Sequence, residues 1–245
     1  ERGHINVKEG MQNASSGEVD IVLKTEGGHV MNAYDLPNLN RVFAEINSKL
    51  YEEFEPMYRD NKTTVAATRT DFAKGAYNVL PASGASTWVI RVTDEKYREI
   101  SNEVMERIRG IVASVVEKYG KEKIDVALNR RLGYRPIVHR DPKLVDLARE
   151  TSKRVLGDDV GMHAEQLPGG EDFSFYLEEL RGKEIPGVFL MVGGANSKKG
   201  IKTGPHHTPD FQVDPDVLSE MAGIHATYAL EYLSGKDSEL AEAVQ

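Results

Sequence analysis

Cysteine is absent from the 245 residues. That excludes disulfides, thiolate nucleophiles and cysteine-ligated zinc, and it leaves the compartment open. No run of apolar residues reaches the length that spans a bilayer, so no membrane partner is expected. Positive charge is in deficit, with 31 Lys and Arg against 39 Asp and Glu, a formal net charge of −8. An acidic chain without a basic run argues against a phosphate-backbone partner, so no nucleic acid is expected. Internal repeats and low-complexity stretches are also missing, and nothing reads as a secretory signal, so the expected location is cytoplasmic. The first residue is Glu1 rather than Met, inside the strand-like run "GHINVKEG" at 3–10, which suggests a chain that starts in the middle of something larger.

What is present falls into two parts. "EVDIVLK" at 18–24 alternates, with Val19, Ile21 and Leu23 on one face, as a half-buried strand does. Residues 39–54 place Leu39, Val42, Phe43, Ile46, Leu50 and Phe54 at helical spacing. Strand-like runs follow at 62–69 and 86–92, then a long amphipathic helix over 95–119 closed by Gly120, then a strand at 123–129. The order β-α-β-β-α-β predicts a ferredoxin-like unit over residues 15–129, with both helices on one sheet face and the other face free. After residue 130 the pattern changes. Asp141 and Pro142 open a helix over 141–155. "GGEDFSFYLEEL" at 169–180 reads as a glycine turn into a helix, and "IPGVFLMVGG" at 185–194 as a strand buried on both faces. A helix over 214–235 and a polar tail at 236–245 end the chain. Residues 1–14 and 130–245 thus read as part of an α/β domain with too few strands to be complete.

Several residues carry possible chemistry. In "KTGPHHTPDF" (202–211), His206 and His207 sit among Gly204, Pro205 and Pro209. Neutral imidazole is the commonest protein metal ligand. Neighbouring side chains of extended backbone point opposite ways, so the two histidines are not expected to share an ion, and Thr208 before Pro209 stiffens the loop. Gly169 and Gly170 let backbone approach a ligand at a helix start, although Glu171 and Asp172 there also serve simply to complement the helix dipole. His29 follows the Gly27-Gly28 turn, and Asn78 precedes the proline of "YNVLP", both ordinary loop chemistry on their own. Arg91 alternates with Ile90 and Val92, which puts it on the free face of the sheet.

Taken in order, "GGH", "YNVLP", an arginine in the next strand, "GGEDFSFY", "PGVFLMVGG" and "HHTPDFQVDPDVL" resemble the two-metal aminoacylase and carboxypeptidase family, most closely its hippurate hydrolase, amidohydrolase and thermostable carboxypeptidase branch. The resemblance runs from about Gly3 to Leu233. It implies an α/β catalytic domain interrupted by a ferredoxin-like lid that makes a homodimer. It implies a metal-dependent hydrolase that cleaves an amide next to a free-carboxylate amino acid, on a small-molecule or peptide substrate, using two divalent ions, zinc by expectation. In that family zinc polarises the carbonyl and binds the attacking water, and a glutamate moves the proton. By the same resemblance His207 is a metal ligand. His29 is the lid histidine that reaches a partner subunit's site and steadies the oxyanion. Asn78 and Arg91 grip the substrate carboxylate, and Gly169 and Gly170 pass the substrate.

By the same resemblance, the family's other ligands, in a His-x-Asp or Cys-Gly-His-Asp motif, and its Glu-Glu pair lie in the N-terminal half of the catalytic domain, ahead of the part that these residues resemble. A two-metal site cannot form from His207 alone, and without the base no water is activated. The expectation is therefore a partial enzyme, inactive alone. A competing expectation is a non-catalytic dimerising or carboxylate-binding module that keeps Asn78 and Arg91 and no metal.

Overall fold

The computed structural model describes residues 1–61, 63–177, 185–202 and 204–234. The expected tail at 236–245 and the last three positions of the expected 169–180 helix lie outside the described residues. Along the chain run β1 (His4–Asn6), β2 (Gly10–Asn13), β3 (Ser15–Lys24), β4 (Gly28–His29), α1 (Leu39–Asn61), β5 (Thr64–Phe72), β6 (Val79–Leu80), β7 (Ser83–Val92), α2 (Tyr97–Tyr119), β8 (Asp125–Leu132), β9 (Ile137–His139), α3 (Pro142–Leu156), β10 (Gly161–His163), β11 (Met191–Val192) and α4 (Val217–Leu233). No helix among the described residues is long and apolar enough to cross a membrane.

Residues 13–137 and 167–175 form one of two compact units. Its sheet has the order β5-β7-β3-β8, antiparallel throughout. The period-two pattern decides which face is buried. Val19, Ile21, Leu23, Trp88, Ile90 and Val92 are all within 2% of full burial, packed with Phe43, Ile46 and Leu50 of α1 and Val104, Ile108 and Val115 of α2. The other face carries polar groups that pair across strands: Thr87 Oγ1 donates to Asp20 Oδ1 at 2.7 Å, and Arg131 bridges Glu18 and Asp20 at 3.0 and 3.2 Å. The helix α1 extends past Pro56 to Asn61, longer than the apolar spacing alone suggests.

The unit is larger than the 15–129 read from sequence, and it takes in residues 167–175. The reason is local pairing. Asn13 makes a parallel bridge to Leu167, Ala14 N–H donates to the Leu167 carbonyl at 3.1 Å, and the Tyr134 and Phe175 rings meet edge to face at 5.7 Å.

The second unit comprises residues 1–12, 138–166 and the chain from Tyr176 onward. Its sheet is β10-β1-β11, with β1 parallel to β10 and antiparallel to β11. Ile5, Val7, Val145 and Ile224 centre its core, joined by Met162, Val188, Leu190 and Val192. Asp141 caps α3 by accepting from Lys143 N–H, with Pro142 in the first turn, as the sequence leads one to expect. The run 185–194 differs from its expectation. Only Met191–Val192 is strand, at the sheet edge, and residues 187–192 are half-buried. Two buried side chains do the work of the missing ladder. His139 lies with Nδ1 2.7 Å from the Lys8 carbonyl while Nε2 accepts from Phe189 N–H at 3.0 Å. Gln12 accepts from Lys8 N–H at 2.9 Å and donates to the Phe189 carbonyl at 3.1 Å.

Candidate functional site

Arg91 stands near the end of β7, where its register partners are Ser16 on β3 and Thr64 on β5. Strand alternation turns its side chain to the face opposite Trp88. There it comes under the 169–170 turn: a Cβ placed on Gly170 would lie 2.5 Å from Arg91 Nη1, 2.8 Å from Ser16 Cβ and 3.2 Å from Tyr134 Cδ2. Only a glycine lets the turn pass the guanidinium this closely. Gly169 is tied in through its carbonyl, which accepts from Asn13 Nδ2 at 3.2 Å. Arg91 Nη1 is buried and has no hydrogen-bond partner among the described residues. Burial pushes the guanidinium below its usual range, opposed by Glu18 and Tyr134. Arginine nevertheless keeps its charge in proteins, so the unpaired N–H is a buried cationic donor.

Two more buried polar atoms in the same unit lack partners among the described residues, Asn13 Oδ1 and Ser174 Oγ. Neither residue stands out in sequence. Asn13 is the last residue of β2, and Ser174 hides in a run that reads as ordinary helix. The helix expected after Gly170 is a six-residue 3-10 turn, Asp172–Leu177, too short to offer the dipole-based anion site that a full helix start provides.

His29 and Asn78 are brought together elsewhere in the unit. The left-handed Gly27 (φ 67°) turns the chain into β4, which pairs with β6 so that His29 faces Val79. His29 Nδ1 accepts from Met31 N–H at 3.2 Å. Its Nε2 lies 3.2 Å from Asn78 Nδ2. The ring is exposed.

This placement changes the expected pairing of Asn78 with Arg91. Arg91 faces Ser16 at one end of the β3–β7 ladder, and Ser83 faces Lys24 at the other. Eight residues of strand separate those ends, about 26 Å at the usual rise. The β4–β6 pair follows the Lys24–Ser83 end. Within one chain the ladder thus sets Asn78 and Arg91 toward opposite ends of the sheet.

His207 belongs to the other unit. Its loop is not the extended run that the sequence suggests. Residues 206–210 are turns, and His207 is the one non-glycine residue among those described with a left-handed backbone, φ 65°. Such a conformation costs roughly 1–3 kcal/mol and persists where surroundings impose it. The loop is closed by Thr208 Oγ1 donating to the Pro205 carbonyl at 2.7 Å, and by Gly204 passing Asp210, where a Cβ would sit 2.9 Å from the carbonyl oxygen. His206 packs edge-on to Phe211 at 5.0 Å, leaving His207 turned to solvent. Fully buried Asp214 anchors the loop's far end, held by Asn196 at 2.5 Å and Lys199 at 3.2 Å, and these bonds keep its carboxyl down at about 2. No group of three or more His, Cys, Asp or Glu among the described residues could hold a metal ion, so His207 alone does not make a metal centre.

The chain thus holds a βαββαβ unit with a buried cationic donor and an α/β unit with one strained histidine loop. Residues 5–231 match the model of peptidase family M20/M25/M40, and the chain belongs to that family. It is 28% identical over 232 residues to the N-acetylcysteine deacetylase of Bacillus subtilis, covering 93% of this chain and 55% of that protein. It is 26% identical over 212 residues to thermostable carboxypeptidase 2 of Saccharolobus solfataricus, covering 86% of this chain and 50% of that protein. It shares the fold, with TM-score 0.62 and 24% identity, of a Bacillus subtilis protein described as a dinuclear metal binding peptidase from the M20 family, covering 95% of this chain and 54% of the other. The chain spans about half the length of the relatives it matches.

Proposed function

We propose that this chain recognises substrate in a metal-dependent amidohydrolase or carboxypeptidase that cleaves an amide beside a free carboxylate. The observation that carries the reading is the buried, unpartnered Arg91 Nη1 beneath Gly170. An orphaned buried donor is costly, and a carboxylate relieves it with charge-assisted hydrogen bonds. The relatives' names, a deacetylase of N-acetylcysteine and a carboxypeptidase, suit an amide next to such a carboxylate.

In this reading the βαββαβ unit acts as a ferredoxin-like lid and a homodimer surface. Arg91 holds the substrate carboxylate, and the Gly169-Gly170 turn passes the substrate. His29, placed beside Asn78, steadies the scissile carbonyl of a site in a second copy. His207 supplies one ligand to a divalent metal, zinc in our reading, and the remaining ligands and the general base come from residues outside these 245. This chain's own groups bind and orient; no hydrolytic step follows from them alone, so the isolated chain is inactive.

The test is kinetic, on the complete enzyme. Arg91→Ala removes a charged hydrogen bond worth about 1.5–3 kcal/mol, a rise in KM of roughly 10- to 100-fold for substrates with a free carboxylate. Substrates whose carboxylate is amidated should respond little. An equal response from both substrate types would sink the assignment.

A further inference from the structure

A pair of histidines in the second unit takes no part in the reading above. His4 on β1 and His163 on β10 come from parallel neighbours in register His4↔Gly161 and Asn6↔His163. Strand alternation puts both on the sheet face opposite the buried Ile5 and its partner Met162. Their ring centres are 5.0 Å apart with 18° between planes, and His4 Nδ1 lies 2.7 Å from His163 Nε2, so the rings meet end to end with these two nitrogens facing. Both residues are exposed.

The closeness depends on a glycine. The His4 ring leans over Gly161, where a Cβ would stand 2.7 Å from Nδ1 and 2.8 Å from Cε1. With any other residue at 161, the ring would swing away from His163.

We propose that His4 and His163 form a two-imidazole site for a divalent transition ion of square or octahedral preference, of the nickel or copper class. Two nitrogens bound about 2.1 Å from one ion at roughly a right angle sit about 3 Å apart, so the observed pair needs to open by about 0.3 Å, with each ring turning by about 45° so that its lone pair aims at the ion rather than at the other ring. A tetrahedral ion needs a wider bite, which disfavours zinc here. Facing each other without metal, one ring must donate its N–H to the other. To bind, the donor ring moves its proton to the nitrogen facing away, and both facing lone pairs go to the ion. No third His, Cys, Asp or Glu joins the pair among the described residues, so water fills the other positions. Imidazole suits these ions, and among first-row dications they bind nitrogen sites most strongly.

The experiment is calorimetric titration of this chain with Ni2+, followed by thermal unfolding with and without it. The expected result is one Ni2+ site that raises the unfolding midpoint. His163→Gln and His4→Gln should weaken it by about tenfold or more, and Gly161→Ala should do the same while keeping both imidazoles. His207→Ala should leave it unchanged. Absence of Ni2+ binding overturns the proposal. So does binding that survives all three pair variants, or binding that vanishes only in His207→Ala, which would place the ion on the 204–211 loop. Unfolding without metal shows directly whether each variant is folded.

Discussion

Gly170 is a position where one atom decides whether Arg91 can work. The guanidinium needs an unobstructed path for a carboxylate, and a methyl group at residue 170 would press on Nη1 at 2.5 Å. The backbone there does not need a left-handed conformation, since Gly170 is not among the positive-φ glycines. A Cβ there would also meet Ser16 Cβ at 2.8 Å, so the expected effect of Gly170→Ala is mainly on binding, with a smaller cost to folding. In the complete enzyme KM should rise by roughly tenfold or more at little changed kcat, with the unfolding midpoint within a few degrees of the parent. A variant that binds normally would show that the turn does not face substrate. The sequence made Arg91 legible because strand alternation fixes its face. It did not make its burial legible, because that depends on residues 167–175 returning from about eighty positions away. Asn13 and Ser174 were invisible for the same reason: an unsatisfied buried atom is a property of the assembled neighbourhood, not of a motif. His29 and Asn78 could each be picked out as loop residues, but only the β4–β6 pairing reveals that they belong to each other.

At the level of elements, the sequence reads best where periodicity and burial agree. The strands read at 18–24 and 86–92 and the helices starting at Leu39 and near Tyr97 all appear, because each buries a regular stripe against one large core. The run 185–194 reads worst. It is apolar enough to be a central strand, yet it lies at a sheet edge, and buried polar side chains replace its ladder. That replacement carries a pH dependence. His139 must stay neutral, with Nε2 accepting from Phe189 N–H, and burial holds its pKa below the ordinary 6.5. The unfolded chain takes up a proton below about pH 6.5 that the folded chain refuses. Stability is therefore full above that value and falls as pH drops below it, by at most about 1.4 kcal/mol per pH unit for one proton. Denaturant midpoints at pH 8 and pH 5.5 measure this. His139→Asn should start less stable at pH 8 but lose less on acidification. Parallel losses in parent and variant would assign the dependence to other groups.

For the molecule as a whole, the geometry of the βαββαβ unit sets what one copy can do. His29 and Asn78 lie beyond one end of the β3–β7 ladder, which is about 26 Å long by strand rise, and Arg91 lies near the other end. If all three serve one reaction, two copies must share each site, so that His29 of one works with Arg91 of the other. This has an arithmetic consequence in a symmetric dimer. On a free-carboxylate substrate held well below the parent KM, Arg91→Ala and His29→Ala should each leave the complete enzyme with little activity. In a mixed dimer, one site receives both substitutions and the other receives neither. When the two variants are dissociated together in equal amounts and reassembled, half the dimers are mixed, and each has one intact site. Activity should then return to about a quarter of the parent level, a regain that neither variant shows when reassembled alone. Failure to regain activity, with mixed dimers shown to be present, would mean that His29 and Arg91 act from the same chain or that one of them has no part in the reaction. Since the ladder keeps them apart within a chain, the second of these would follow, and His29, whose position rests on a two-residue strand pair, would be the one to give up.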